Sequence, residues 1–243
     1  MIRIGTAGWS VPTPLRDRFP AEGPILQRYA AVFDGVEINS SFYRPHKPET
    51  YARWAASTPE GFRFAVKAPK TVTHERRLVD VAEPLGRFLD ESAALGARRG
   101  PVLIQLPPSL GFDPAVAESF LAALRARYDG EAVLEPRHAS WFTPEADTLL
   151  VRRRIARVAA DPALSDAART PGGWSGVPYW RLHGSPRIYA TAYGRERLEA
   201  LSAHLVSPAW VIFDNTTFGA ATADALILQA ILRSQAQDAK LEP

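Results

Sequence analysis

The feature that most constrains the fold is an alternation, along the whole chain, of short apolar segments with amphipathic segments of helical length. The apolar segments are rich in β-branched and aromatic residues and are closed by a polar residue, which is typical of strands. Eight segments have this character: 2–6, 35–39, 62–68, 101–106, 132–135, 155–160, 179–183 and 210–214. The helical segments between and after them are 24–33, 47–57, 81–95, 114–127, 144–153, 195–205 and 222–233.

Strict strand–helix alternation predicts parallel strands joined by helical crossovers, hence an α/β fold. Eight such repeats in 243 residues fit a single closed (β/α)₈ TIM barrel better than a doubly wound sheet. Gly5 and Gly8 match only part of a dinucleotide-binding glycine motif. Residues 162–177 contain proline and three glycines, so the sixth helix is expected to be short or absent. We predict a barrel over residues 1–234 and a polar C-terminal tail over 235–243.

Composition excludes several classes of protein. The chain has no cysteine, so disulfides, thiolate metal sites and cysteine nucleophiles are ruled out. It has no apolar run long enough for a membrane span and no signal-peptide pattern at its start, which predicts a cytoplasmic protein without membrane contact. The net charge of +3 is a weak field for attracting nucleic acid.

Polar side chains gather at the predicted C-terminal ends of the strands, where TIM barrels carry their chemistry. Side chains two residues apart share a face of a strand, so polar pairs at these ends are expected to point together into the barrel mouth. The pairs are Glu37 with Asn39, Glu135 with Arg137, and Arg181 with His183; Lys67, His74, His138, Asp161, Asp214 and Asn215 lie at or just after other strand ends.

These residue types predict roles. His183 and His138 are candidate general acid–base groups because imidazole titrates near neutral pH. Glu37 and Glu135 are candidate catalytic carboxylates, or acceptors for the cations beside them. Lys67, Arg137 and Arg181 are candidates for holding a phosphate or carboxylate. The remaining candidate substrate-binding residues are His74, Asn39, Asp214 and Asn215, with Trp9 and Trp141 as aromatic rings that could stack on a ligand.

Structural alternatives stand beside these roles. The charged groups could form an internal salt-bridge network that fills the barrel, either histidine could be structural, and the aromatic residues could be packing. A divalent metal is conceivable but not indicated, because the sequence has no compact histidine–carboxylate motif and several cations share the same mouth. We therefore predict no metal ligands and leave the cofactor open.

The strand-end motifs resemble those of the YecE-like family of uncharacterised TIM-barrel proteins. The resemblance is carried, in order, by GTAGW (5–9), VEINSSFYR (36–44), VKAP (66–69) with Thr73 and His74, LIQLPP (103–108), EPRHASW (135–141), RLHG (181–184) and FDNT (213–216). It covers nearly the whole chain and implies a barrel related in shape to the xylose-isomerase and endonuclease-IV types, without an established reaction. Asp214 and Asp224 depart from the family pattern, which tends to have asparagine at both positions.

Three functions remain open. The preferred one is an enzyme, a hydrolase or an isomerase, that acts on an anionic small molecule or phosphoester at the strand ends. The second, by analogy with endonuclease-IV-like barrels, is a barrel that binds or repairs nucleic acid. The third is a ligand-binding barrel without catalysis. The sequence does not determine the oligomeric state.

Overall fold

The strands of the barrel form at the predicted positions. The computed structural model describes residues 1–239 of the chain. Within this part, the β-strands are β1 (Ile2–Thr6), β2 (Gly35–Ile38), β3 (Arg63–Lys67), β4 (Arg99–Gln105), β5 (Ala132–Glu135), β6 (Ile155–Arg157), β7 (Ala159–Asp161), β8 (Gly172–Gly173), β9 (Tyr179–Leu182) and β10 (Ala209–Phe213).

Parallel pairing carries the chain around a closed barrel. The hydrogen-bonded orders are β1–β10–β9–β7 and β2–β3–β4–β5–β6, with β8 antiparallel to β6. One seam closes where Ala7 bridges Glu37 and the Gly8 N–H donates to the Glu37 carbonyl at 2.8 Å. At the other seam the predicted strand 155–160 divides at Val158, so that β6 pairs with β5 and β7 pairs with β9. The prediction of an α/β TIM barrel is confirmed.

Helices pack around the outside of the barrel. They are α1 (Ile25–Ala30), α2 (Pro48–Ala56), α3 (Ala82–Ala93), α4 (Pro114–Arg125), α5 (Pro144–Arg152), α6 (Arg195–Ser202) and α7 (Ala220–Asp238). In two of them, a side-chain N-cap fixes the residue at which the helix begins. Asp113 Oδ1 accepts the backbone N–H groups of Ala115 and Val116 at the start of α4, and Thr143 caps α5.

The sixth crossover contains no α-helix in residues 162–178, all of which the structure describes. A short 3₁₀ turn (Asp166–Ala168) and the strand β8 take its place. Arg157 fixes this segment, because its guanidinium donates to Asp147 Oδ1 at 3.0 Å and to the Ala167 carbonyl at 2.9 Å. The expected shortening of the sixth helix is therefore observed.

Apolar side chains fill the lower half of the barrel interior. The inner set comprises Ala65, Leu103, Val133, Ala156, Val158, Val177, Tyr179, Trp210 and Ile212. Trp210 closes the N-terminal end and stacks on Tyr179 with 6.0 Å between ring centroids. Gly100 makes room for it, since a Cβ at that position would lie 2.8 Å from Trp210 Cζ2. Packing thus occupies the interior up to the level of Tyr179.

The C-terminal boundary differs from the predicted one. Helix α7 continues to Asp238, so residues 235–238 are helical rather than part of a polar tail. Gln235 and Ala236 are compatible with a helix, and Gln235 Nε2 donates to Ser202 Oγ at 2.8 Å on α6. The last four residues of the predicted tail lie outside the described part. No helix within residues 1–239 is long and apolar enough to cross a membrane.

Candidate active site

A fully buried arginine lies at the centre of the barrel mouth. Arg181, on β9, donates through Nε and Nη2 to the two carboxylate oxygens of Glu37, at 2.9 and 2.7 Å. Its Nη1 lies 3.1 Å from Glu135 Oε2, and its Nη2 lies 3.0 Å from Asp214 Oδ2. One guanidinium thereby connects four strands: β2, β5, β9 and the end of β10. All three of its nitrogens are engaged.

His183 links two of the same carboxylates. Its Nε2 lies 2.8 Å from Glu135 Oε1 and its Nδ1 lies 3.0 Å from Asp214 Oδ2, and the side chain is fully buried. Two ionised carboxylates both require a donor, which only the protonated imidazolium supplies. Burial opposes this charge, but Glu135 and Asp214 outweigh it and raise the pKa of His183. The geometry and the raised pKa both favour the imidazolium form of His183.

The carboxylates stay ionised despite their burial. Burial favours the neutral acid, but the charges of His183, Arg181 and Arg137 hold the pKa of Glu135 well below its usual value. Arg181 and His183 likewise outweigh burial and lower the pKa of Asp214. Glu135 also accepts hydrogen bonds from Gln105 Nε2 at 3.1 and 3.2 Å and from Arg137 Nη1 at 3.0 Å.

Lys67 is the cation that the network leaves without a carboxylate. It ends β3, its residue is 5% exposed, and its ammonium lies 4.1 Å from the ring centroid of Phe42. Among residues 1–239 it makes no ion pair. Burial, with help from the charge of Arg181, lowers its pKa from 10.5 to about 8, although Glu37, Asp214 and Glu135 oppose the change. Lys67 thus lies at the rim of the cluster, and its ammonium loses its proton more readily than that of an ordinary lysine.

The charges of the mouth can be counted. Three carboxylates, Glu37, Glu135 and Asp214, are matched by Arg181, Arg137 and the protonated His183. A protonated Lys67 adds one positive charge that no carboxylate among the described residues balances. The mouth can therefore accept one negative charge from outside, or Lys67 can lose its proton.

Of the other predicted residues, His74 lies close to this rim. His74 Nδ1 is 2.9 Å from Thr73 Oγ1, and its ring packs edge-on to Phe42 with centroids 4.9 Å apart. Burial and the charge of Lys67 lower the pKa of His74, which places it in the field of the ammonium. Asn39 Oδ1 is buried without a hydrogen-bond partner among the described residues. Trp9 packs edge-on to Trp54 at 5.0 Å.

Three predicted residues are held by contacts outside the cluster. Trp141 is 1% exposed and donates from Nε1 to the Leu110 carbonyl at 3.0 Å, as a core residue does. His138 is exposed, and its Nδ1 accepts the Ser140 N–H as a cap for a 3₁₀ turn. Asn215 donates to the Thr191 carbonyl and to Asp224 Oδ2, at 2.9 and 2.7 Å, and fixes the loop after β9.

Some residues of the site were missed by the sequence analysis. Tyr179 donates to Glu37 Oε2 at 3.1 Å, and its position two residues before Arg181 on one strand was a usable signal. Tyr189 lies on the loop after β9, where its ring packs edge-on to His183 with centroids 5.6 Å apart. Its side of the site is open, since Tyr189 is 41% exposed. No periodicity marks a loop residue, so sequence alone gave no signal for it.

The described residues do not form a metal site. Within residues 1–239 no group of three or more histidine, aspartate or glutamate side chains is arranged to hold a metal ion. Arg181 occupies the space between the three carboxylates, so their oxygens are directed at a guanidinium. Asp161, a further strand-end carboxylate, instead accepts the Tyr193 hydroxyl at 2.7 Å and faces Arg197.

Comparison with known proteins identifies relatives of this chain. The family described as "Protein of unknown function DUF72" matches residues 3–243. The UPF0759 protein YecE of Escherichia coli (strain K12) is 34% identical over 176 residues, which is 70% of this chain and 62% of that protein. The chain therefore matches less than two thirds of that relative's length.

Solved structures show the same architecture. The crystal structure of a DUF72 family protein from Thermotoga maritima matches 96% of this chain and 99% of its own, with a TM-score of 0.78 and 26% identity. The crystal structure of SacUVDE matches 97% of this chain and 99% of its own, with a TM-score of 0.63 and 11% identity. At that identity the second likeness concerns the fold alone.

Proposed function

The chain belongs to the DUF72 family, and we propose that it binds a small anionic molecule at the barrel mouth and transfers protons there. The observation that carries this proposal is the charge of the mouth, in which Lys67 alone is left without a carboxylate among the described residues. A phosphate or carboxylate group would supply the missing negative charge.

Lys67 and Arg137 are the cations best placed to hold the anion. The Arg137 side chain is 16% exposed and uses Nη1 for Glu135, which leaves its other nitrogens for a ligand. Arg181, which the sequence analysis grouped with them, is fully buried and has three carboxylate partners. We assign it a positioning role, because its donors are already used within the protein.

Asp214 is the one of the three carboxylates that reaches solvent at the barrel mouth. It is 5% exposed, whereas Glu37 and Glu135 are fully buried. His183 holds a proton on Nδ1, 3.0 Å from Asp214 Oδ2; it can release this proton through Asp214 to the bound molecule and take one back by the same route. His183 is thus the group that stores the proton rather than one that touches the ligand, and His138 lies outside this chain of contacts.

Titration with sulfate, whose charge is constant above pH 3, tests anion binding directly. We expect Lys67→Met to weaken sulfate binding roughly tenfold to a hundredfold, the loss of one hydrogen bond between charged groups. Lys70→Met is the matched control, since Lys70 is exposed and paired with Glu75. Because the pKa of Lys67 is lowered to about 8, affinity should be full below that pH and fall above it. Equal sulfate affinity in the wild type and Lys67→Met would contradict the proposal.

Nucleic acid is the second candidate, and it shares the phosphate chemistry. The likeness to SacUVDE supports a common architecture only, so this candidate rests on the unpaired cation at the mouth. A duplex oligonucleotide that binds with steep salt dependence and competes with sulfate would favour it. Saturable sulfate binding without affinity for the duplex at low salt would leave the small anionic molecule as the ligand.

A further inference from the structure

We propose that the Lys67 amine is a nucleophile that forms a Schiff base with a small carbonyl compound bearing a carboxylate or phosphate. This inference rests on the proposed anion site and adds the substrate class. It starts from the position of the side chain, which ends a barrel strand, is nearly buried, and has no ion-pair partner among residues 1–239.

The charge of the mouth makes the neutral amine attainable. Arg181, Arg137 and protonated His183 already balance Glu37, Glu135 and Asp214, so the cluster stays neutral when Lys67 loses its proton. The Phe42 face favours the ammonium, whereas burial and the charge of Arg181 favour the neutral amine and lower the pKa. At pH 8, an amine with a pKa near 8 is half neutral, about 150-fold more than an ordinary lysine.

The covalent step converts the neutral amine and the carbonyl compound into an iminium. The nitrogen lone pair attacks the carbonyl carbon, the π electrons move to oxygen, and a proton passes from nitrogen to that oxygen to give a carbinolamine. A second proton, taken up from the solvent at the mouth, lets the hydroxyl leave as water, and the nitrogen–carbon double bond forms. The sum is one amine, one carbonyl and one proton giving one iminium and one water, without oxidation or reduction.

Neighbouring groups define which carbonyl compound fits. Among residues 1–239, Arg137 forms a side-chain hydrogen bond only through Nη1, so its other guanidinium nitrogens can hold a carboxylate or phosphate on the same molecule. Asp214, ionised at the rim, can accept the proton released from nitrogen or from the carbon beside the iminium. The groups whose charges act on the amine are Arg181, Glu37, Asp214, Glu135 and, from the following loop, His74.

The chain is well suited to a labelling test, because it has only four lysines. The full chain is incubated at pH 7.5 with glyoxylate and cyanoborohydride, which reduces an iminium to a stable carboxymethyl-lysine that peptide mass spectrometry locates. We expect the rate at Lys67 to exceed the rates at exposed Lys47 and Lys70 at least tenfold, although Lys67 is nearly buried. The Lys67 rate should level off above pH 8, while the rate at Lys47 keeps rising.

Controls separate the parts of the proposal. Formaldehyde, a carbonyl without an anion, should prefer Lys67 less than glyoxylate does, because only the lowered pKa then favours Lys67. Lys67→Arg should label normally at Lys47 and Lys70. Labelling of Lys47 and Lys70 but not Lys67 overturns the nucleophile, and equal preference for Lys67 with both aldehydes overturns the anionic substrate class. If sulfate binds but Lys67 is not labelled, the inference fails and the proposed function stands. If Lys67 is labelled and sulfate neither binds nor slows labelling, the proposed anion site fails while the nucleophile stands.

Discussion

Replacing Lys67 by methionine should stabilise the protein at pH 7 while it weakens anion binding. The fall of the lysine pKa from 10.5 to about 8 is the net result of burial, repulsion by Arg181 and attraction by the carboxylates. It corresponds to about 3 kcal/mol by which the folded state disfavours the ammonium. Methionine has a similar volume and no charge, so most of this free energy should appear as added stability.

The pH dependence has a definite sign. Below about pH 8 the amine is protonated in both folded and unfolded chains, and the wild type bears the whole cost. Between about 8 and 10.5 the folded protein has released the proton and the unfolded chain still holds it, so the stability of the wild type rises. The advantage of the methionine variant should therefore shrink through this window.

Urea unfolding at pH 7 and pH 10 measures the difference. Tyrosine ionisation affects both proteins and cancels when the variant is compared with the wild type at each pH. Lys70→Met, at an exposed ion pair, should change stability little at either pH. A methionine variant that is less stable than the wild type at pH 7, or an advantage that is unchanged at pH 10, would refute the reasoning.

Three further outcomes follow from the same network. The ¹⁵N shifts of His183 should be those of an imidazolium at pH 7.5, and a neutral ring would contradict the two-carboxylate geometry. Because the pKa of His183 is raised, the stability that its charge contributes is complete below about pH 6.5 and is lost as pH rises through the pKa of the folded state. Arg181→Met should destabilise the protein by about 3–5 kcal/mol in urea, because three buried carboxylates lose their shared partner. Trp141→Ala should lose about 3–5 kcal/mol of stability and keep the sulfate affinity of the wild type; a changed affinity would return Trp141 to the ligand site.

The fold was largely predictable because its signal is local and repeated. Each strand segment is a short apolar run, and each helix has its own period and cap, as at Asp113 and Thr143. The division of the sixth strand at Val158 was not predictable, since it depends on which neighbour each half pairs with. The replacement of the sixth helix was partly visible in Gly172 and Gly173, but the hydrogen bonds of Arg157 that hold the segment join residues ten positions apart, in different elements, and follow no periodic pattern.

The site was predictable in membership and less so in pairing. Strand alternation placed Glu37, Glu135, Arg181 and His183 on the inward face, and the structure brings them together. Which cation stays unpaired depends on distances between four strands, which no spacing in the sequence encodes. The same limit applies to Trp141, because a tryptophan after a strand looks alike in sequence whether it packs in the core or faces a ligand.

The lower half of the barrel interior is apolar and the upper half is charged, and this difference shows whether the charged cluster is needed for packing. Below Tyr179, apolar side chains such as Val133 and Ile212 fill the interior of the same barrel. Clusters of buried ions rarely stabilise a protein more than apolar residues of similar volume would. The upper layer nevertheless contains three carboxylates and four cationic side chains, one of which, Lys67, is left uncompensated at a net disadvantage to folding. A barrel built only for stability would gain from an apolar residue at that position, so the unpaired lysine is better explained by a ligand that completes the charge.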